Sequence, residues 1–209
     1  MSKGQSLTYK LASTDQELEQ VFRLNYQTFV KEIPQHQPNE EGRLVDRFHD
    51  ENTYLIALKN HRLVGMLAVR GERPFSLDEN LGAIDRYLPK GRRPCEIRLL
   101  SLVPNHRGGP VLRGLLRLLL TYGKSQGYSL AVISGTVRQL KLYRHLGFQP
   151  FGPRVGNPPA EYQPMSLTLE GFEGNVGALL NQTPLNGSDP EEPLSFLPGP
   201  VNLTKPVRP

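Results

Sequence analysis

The sequence predicts a mixed α/β sheet with helices packed on both faces, and three observations carry that reading. The stretch from Cys95 to Leu120, CEIRLLSLVPNHRGGPVLRGLLRLLL, reads as an inner strand, a tight turn and a long helix. Leu99, Leu100, Leu102 and Val103 supply its short apolar run, and Pro104-Asn105 stops it. Tyr54 to Leu58 and Leu63 to Val69 are two further apolar runs, divided by Lys59-Asn60-His61-Arg62, which is a hairpin signature with Asn60 near the turn. Strand and helix signals then alternate along the chain: strand, helix, two strands, a long insert, strand, helix, strand, helix and two short strands.

The elements follow from their local chemistry. Leu7 to Leu11 alternates weakly and opens the sheet. Thr14-Asp15-Gln16-Glu17 fits a capping box, in which the threonine hydroxyl and the glutamate each satisfy an end N–H. Leu18, Val21, Phe22, Asn25 and Phe29 share one helical face, so the first helix is expected to end near Lys31. Pro34 and Pro38 bound a loop that carries Glu40, Glu41 and, further on, Asp46. Gly71 to Pro94 is polar and irregular, with one helical turn expected around Leu81 to Leu88. Pro110 lies near the first turn of the central helix, where a missing N–H costs little, and Arg113, Arg117, Thr121 and Lys124 form a polar row along it. Gly127 ends that helix, Leu130 to Ile133 is a second inner strand, and Val137 to Leu146 is a helix stopped by Gly147. Phe148 to Phe151 and Met165 to Leu169 are closing strands. From Gly171 onward, 39 residues hold seven prolines and five glycines without sustained periodicity. The expected organisation is therefore one domain over residues 1–170 and an extended tail or linker over 171–209.

Composition narrows the function. At 209 residues, 37% hydrophobic and 22% charged, the chain can build one good-sized core. Its single cysteine, Cys95, falls inside the strand pattern, which leaves no disulfide framework and no cysteine-based metal site, so no metal is expected. The opening MSKGQSLTYK lacks an apolar signal core and no stretch reaches the length of a membrane span; the cytoplasm is the expected location. The net charge of +5, with Arg86, Lys90, Arg92, Arg93, Arg98 and Arg107 close to the central stretch, suits an acidic or phosphorylated partner. No zinc spacing, aromatic RNA-binding motif or lysine-rich arm points to nucleic acid. The glycines of Arg107-Gly108-Gly109 let a backbone approach a ligand closely, and the free N–H groups of the following helix form a phosphate site, although many α/β proteins carry such a turn without a ligand.

With VPNHRGG in that turn and LYRHLGF after the next strand, residues 7–170 resemble the GNAT superfamily of N-acyltransferases. The resemblance implies a mostly antiparallel mixed sheet whose central strands splay apart. It also implies that the turn holds a coenzyme A pyrophosphate while the pantetheine arm lies in the splay. Donor contacts then fall on Leu100, Ser101, Leu102 and Val103 for the arm. For the pyrophosphate they fall on Arg107, Gly108, Gly109, Val111, Leu112 and Arg113. Pro110 and Leu112 stand where small residues are usual, and Pro110 has no N–H to donate. The N-acyl amino acid synthases and the acyl-homoserine-lactone synthases look closer still. Phe29, the run Arg43-Leu44-Val45-Asp46-Arg47-Phe48, Arg70 and Glu96 match their pattern, whereas Asn25 and His49 replace an arginine and an aspartate of the lactone synthases. Ser195 to Leu203 resembles the opening of class V PLP-dependent aminotransferases.

The implied reaction is transfer of an acyl group from an acyl-CoA or acyl carrier protein thioester to the amine of a small molecule or amino acid. It needs a base, a donor to the oxyanion and a proton for the departing thiolate. Glu96 is the candidate base, or else simply a partner of Arg98. A backbone N–H near Leu102 is the oxyanion donor, and Tyr143 is either the acid or a helix aromatic packed on Phe148. Phe29, Asp46, Phe48, Arg70 and Arg98 are candidates for binding the acceptor, against their alternatives as surface or core residues. The competing readings are a catalytically idle acyl-CoA-binding domain fused to an aminotransferase, and a basic nucleic-acid-binding module.

Overall fold

The computed structural model describes residues 7–107, 109–156 and 161–181. Its seven strands are β1 (Leu7–Leu11), β2 (Thr53–Lys59), β3 (Arg62–Arg70), β4 (Pro94–Leu102), β5 (Leu130–Thr136), β6 (Gln149–Pro150) and β7 (Tyr162–Thr168). They form a single sheet in the order β1-β2-β3-β4-β5-β7-β6. Every pairing is antiparallel except β4 with β5. Helix α1 (Asp15–Tyr26) covers one face, where Val21, Phe22 and Leu24 pack on Tyr54, Ile56, Met66 and Ala68. On the other face α3 (Pro110–Ser125) packs Val111, Leu112, Leu115 and Leu119 on Leu55, Leu67 and Val69. Smaller helices α2 (Ser76–Leu81) and α4 (Leu140–His145) lie in the connections, and α5 (Leu169–Asn181) follows the last strand.

Local chemistry accounts for the boundaries. The Thr14–Glu17 capping box is present, with Glu17 N–H donating to Thr14 Oγ1 at 3.2 Å. The β2–β3 hairpin turns on Asn60 (φ 51°) and His61 (φ 62°), the paired positive angles that match a two-residue loop to strand twist. Gly127 (φ 70°) follows α3 in the left-handed conformation that ends helices.

Two irregularities position the site. After Tyr26 the first helix widens into a π-helical segment over Gln27–Glu32, which carries Phe29 into the core. On β4 the register with β3 slips: Met66 pairs with Ser101 and Ala68 with Arg98, leaving Leu99 and Leu100 opposite Leu67 alone. Leu99 adopts φ 54°, an angle that costs an L-residue about 1–2 kcal/mol and persists only where packing fixes it. This bulge reverses the side-chain alternation. Arg98 and Leu99 thus face α1, whereas Ile97 and Leu100 face α3. Just before it, β4 leaves β5; the two strands pair at Pro94, Cys95 and Glu96 and then diverge. The splay that the resemblance implied is present.

The structure adds to the sequence reading in one place and corrects it in another. The expected helical turn is present at Ile84–Arg86, and a further helix, Ser76–Leu81, precedes it, because Phe75, Leu77, Leu81 and Ile84 are drawn into a core with Leu130 and Val132. The chain also does not become extended at Gly171: α5 continues to Asn181. Its glycines read as breakers, but Phe172 is buried against the core, Asn175 Nδ2 donates to Leu146 O at 3.1 Å, and Glu173 pairs with Lys124 of α3. Tertiary packing outweighs the roughly 1 kcal/mol that each glycine costs a helix. The remainder of the expected tail, 182–209, and with it the aminotransferase-like Ser195 to Leu203, lies outside the described residues.

Candidate active site

The bulge places a cavity on each face of β4. On the α3 side an apolar pocket enclosing about 680 Å³, open mouth included, runs between Ile97 and Leu100 of β4, Leu130 and Ile133 of β5, and α3 and α5. Leu116, Leu119 and Gly123 of α3 line it, together with Phe148, Phe172, Cys95 and Tyr128. Burial pushes the Cys95 thiol up to about 12, so it remains a neutral lining group, as its place in the strand suggested.

On the α1 side a polar cleft of about 530 Å³, again including its mouth, is lined by Asn25, His36, Leu44, Val45, Asp46, Arg47, Arg98 and Leu99. The loop between the π-helical segment and β2 forms its outer wall, tied to α1 where Leu44 N–H donates to Phe22 O at 3.0 Å. Arg98, almost fully buried, sits at the back of the cleft. It donates to Asp46 Oδ2 at 2.8 Å and to Glu96 Oε2 at 3.3 Å. Asp46 Oδ1 also accepts from Phe48 N–H and Asn52 Nδ2, each at 3.0 Å. Glu96 is 1% exposed and accepts from the Ser76 N–H at 3.2 Å and from the Ser76 hydroxyl. One guanidinium thus holds two carboxylates.

Phe48 joins the triad to Arg70. The Arg70 guanidinium lies 3.7 Å from the Phe48 ring centre, and those of Arg47 and Arg98 lie 4.3 and 4.7 Å from it. Arg70 is itself buried and paired with Glu51. Several buried polar atoms here lack a hydrogen bond among the described residues: both side-chain amide atoms of Asn25, Nε of Arg98, Nε and Nη1 of Arg70, and the Ser101 hydroxyl. Of these residues, Asn25 and Arg98 line the cleft, whereas a native interior satisfies nearly all such groups.

Of the predicted site residues, Asp46, Phe48, Arg70, Glu96 and Arg98 therefore assemble into one cluster. Phe29 is fully buried in the core and does not line the cleft. His49 is held by packing, its Nδ1 3.2 Å from the Tyr54 hydroxyl and its ring edge-on to Phe22. Tyr143 is fully enclosed beside Gly135 of β5, and its hydroxyl donates to Gln139 Oε1 at 3.2 Å; burial raises its pKa well above the phenol's ordinary 10. Leu102 is buried near the end of β4. Val103 N–H donates to Val64 O across β3, so on an extended strand the Leu102 N–H points to the other edge, from which β5 has diverged.

In the turn, Arg107 folds back, its Nε donating to Leu102 O at 3.2 Å and its Nη2 to Glu32 at 2.6 Å. The Arg113 guanidinium lies against Gly109, so a side chain there would displace it. Val111 and Leu112 are core residues of α3, which leaves only their backbone for a ligand. Gly108 lies outside the described residues. Asn25 and His36 are the residues sequence reasoning missed as site groups. The helical spacing places Asn25 on the face of α1 that packs on the sheet, and nothing in the loop sequence marks His36, because the fold alone brings them beside Arg98.

Among the described residues no helix is long and apolar enough to cross a membrane, and no cluster of three or more His, Cys, Asp or Glu could hold a metal ion.

Residues 20–169, well over half the chain, match the family model described as N-acyl amino acid synthase FeeM. Among solved structures, the CoA-dependent acyl-homoserine lactone synthase BjaI, determined with MTA, has a TM-score of 0.70 at 19% identity over 85% of this chain and 92% of its own. FeeM, an N-acyl amino acid synthase from uncultured soil microbes, gives 0.65 at 16% identity over 84% and 96%. N-acetyltransferase family 8 member 2 of Rattus norvegicus is 31% identical over 67 residues, 31% of this chain and 30% of that relative, so the match spans less than a third of the relative's length.

Proposed function

The chain belongs to the N-acyl amino acid synthase FeeM family and is an N-acyltransferase; from that premise we propose that it joins the acyl group of a coenzyme A or acyl carrier protein thioester to the amine of an amino acid or related small amine. The observation that carries this reading is the pair of cavities on opposite faces of β4, one apolar and one polar, both bordering the Leu99–Leu100 bulge. An acyl chain fits the first, a polar amine the second, and the thioester carbonyl lies between them in the splay.

The apolar pocket extends along β4 from Leu100 to Cys95. Five residues at about 3.3 Å each give a depth of roughly 16 Å. A zigzag hydrocarbon advances about 1.3 Å per carbon, so the pocket suits a chain of roughly a dozen carbons rather than acetyl. Unpartnered buried hydroxyls on Ser101 and Ser134, in the diverging parts of β4 and β5, are available to the amide groups of a pantetheine arm. The main chain from Asn105 to Arg113, with the Arg113 side chain, would hold the phosphate end at the α3 N-terminus.

Asp46 places a carboxylate on the cleft wall for the acceptor's amino group, and the unpartnered donors of Arg70 and Asn25 suit a carboxylate or other polar head group. Attack on the carbonyl drives its electron pair onto oxygen, which the Leu102 N–H stabilises. Tyr143, enclosed with its hydroxyl on Gln139, packs behind β5 and takes no part in the proton transfers. Since a thiol's pKa is about 8.5, the sulfur leaves as thiolate and is protonated by water. Glu96 holds Arg98 and Ser76 in place rather than moving the proton itself.

The test is thiol release from CoA and carrier-protein thioesters of graded acyl length across a panel of amino acids, with the product identified by mass. Release of thiol from chains near twelve carbons, dependent on an amine and yielding an N-acyl product, is expected. Release confined to acetyl-CoA, or independent of any amine, would overturn the reading.

A further inference from the structure

We infer that His36 is the general base of this reaction: its imidazole, on the wall of the acceptor cleft, takes the proton from the attacking amine. The inference rests on the function proposed above. His36 follows the π-helical segment and shares the cleft with Asp46 and Arg47 of the loop and with Arg98 and Leu99 of β4. Asp46, Arg47 and Arg98 are the charged residues that line the cleft with it, and Asp46 is the one that acts on the imidazole electrostatically.

A base must be accessible and have a lone pair to spare. Glu96 is enclosed, with its oxygens occupied by Ser76 and Arg98. Asp46 spends both oxygens on Arg98, Asn52 and the Phe48 N–H. The guanidinium of Arg98 accepts no proton. That leaves the half-buried imidazole. Burial pushes its pKa below the ordinary 6.5, against the opposing pull of Asp46, so it stands as free base at neutral pH. An imidazole that is unprotonated at the working pH can accept the proton. Asn25, fully buried with both amide atoms unpartnered, lies in the same cleft and is placed to orient the amine.

The step balances. The bound ammonium first loses one proton to water; the freed nitrogen lone pair forms the C–N bond while the carbonyl π pair moves to oxygen. His36 removes one proton from that nitrogen. The oxygen pair then re-forms C=O, the C–S bond breaks with its electrons on sulfur, and the imidazolium returns its proton to water.

The experiment uses the full chain and the variants His36→Gln and His36→Ala. Thiol release is followed from pH 5 to 9 with a lauroyl-CoA donor and an amino acid the wild type accepts. Donor binding is measured separately by calorimetry. His36→Gln is expected to lower kcat about 100-fold or more, to lose the wild-type limb that titrates below pH 6.5, and to bind donor as before. Imidazole in the buffer should restore part of the His36→Ala rate. A His36→Gln rate within about threefold of wild type, with the acid limb intact, would overturn the assignment. So would a His36→Ala loss that imidazole does not relieve and that His36→Gln does not share, since that marks a structural role. A wild type that releases no thiol with any amine refutes the function itself and the base with it, whereas an active His36→Gln variant refutes the base alone.

Discussion

Glu96→Gln separates a carboxylate that moves protons from one that holds the site together. In the structure Glu96 is 1% exposed and takes hydrogen bonds from the Ser76 N–H, the Ser76 hydroxyl and Arg98. The amide keeps the shape and one acceptor oxygen, but turns an NH2 toward groups that donate, and removes the charge beside Arg98. Breaking a buried ion pair costs about 3–5 kcal/mol. The lower end applies here, because Asp46 still holds Arg98 and the remaining oxygen still serves Ser76. At about 2–4 °C per kcal/mol for a chain of this size, a loss of about 3 kcal/mol lowers Tm by roughly 6–12 °C. Thermal unfolding followed by circular dichroism measures it. A Tm within about 2 °C of wild type, together with lost turnover, would refute this reasoning and return Glu96 to the role of base that the sequence suggested.

Two further outcomes follow from the cavities and the buried hydroxyls. Gly123 is buried on the wall of the apolar pocket with open space where a Cβ would stand, so Gly123→Leu should fold normally and shorten the preferred acyl chain by about four carbons, the size of the added group; an unchanged length profile would place the chain elsewhere. Alkaline stability should also fall. Burial pushes Cys95, Tyr54 and Tyr162 each up to about 12. In the unfolded chain these groups ionise near 8.5 and 10. Between those values the unfolded state binds fewer protons than the folded one, so the urea midpoint should decline as pH rises from about 9 toward 12. A midpoint that stays level from pH 8 to 11 would contradict that burial.

What the sequence could reveal was local. The Thr14 capping box, the Asn60-His61 hairpin, the inner strand before Pro104 and the glycine after α3 each follow from a few adjacent residues, and each is present. The irregularities that build the site were not legible. Nothing in CEIRLLSL marks Leu99 as the residue forced to φ 54°, because the bulge exists to reconcile packing against α1 on one face with packing against α3 on the other. The π-helical widening over Gln27–Glu32 likewise has no local signature. The resemblance gathered Asp46, Phe48, Arg70, Glu96 and Arg98 from three separate segments, and the fold unites them through one guanidinium and one ring. It passed over His36, which enters the cleft by the path of the loop rather than by any pattern in it.

The central claim concerns location: the acyl chain enters on the α3 face of β4, opposite the acceptor. A coenzyme A thioester of a fatty acid carrying a diazirine at its far end, photolysed on the protein and mapped by peptide mass spectrometry, reports that location directly. Labelling within 116–128 and 167–173, displaced by unlabelled lauroyl-CoA, is the predicted result. Labelling of 44–47 on the other face would contradict the account, as would labelling that lauroyl-CoA fails to displace.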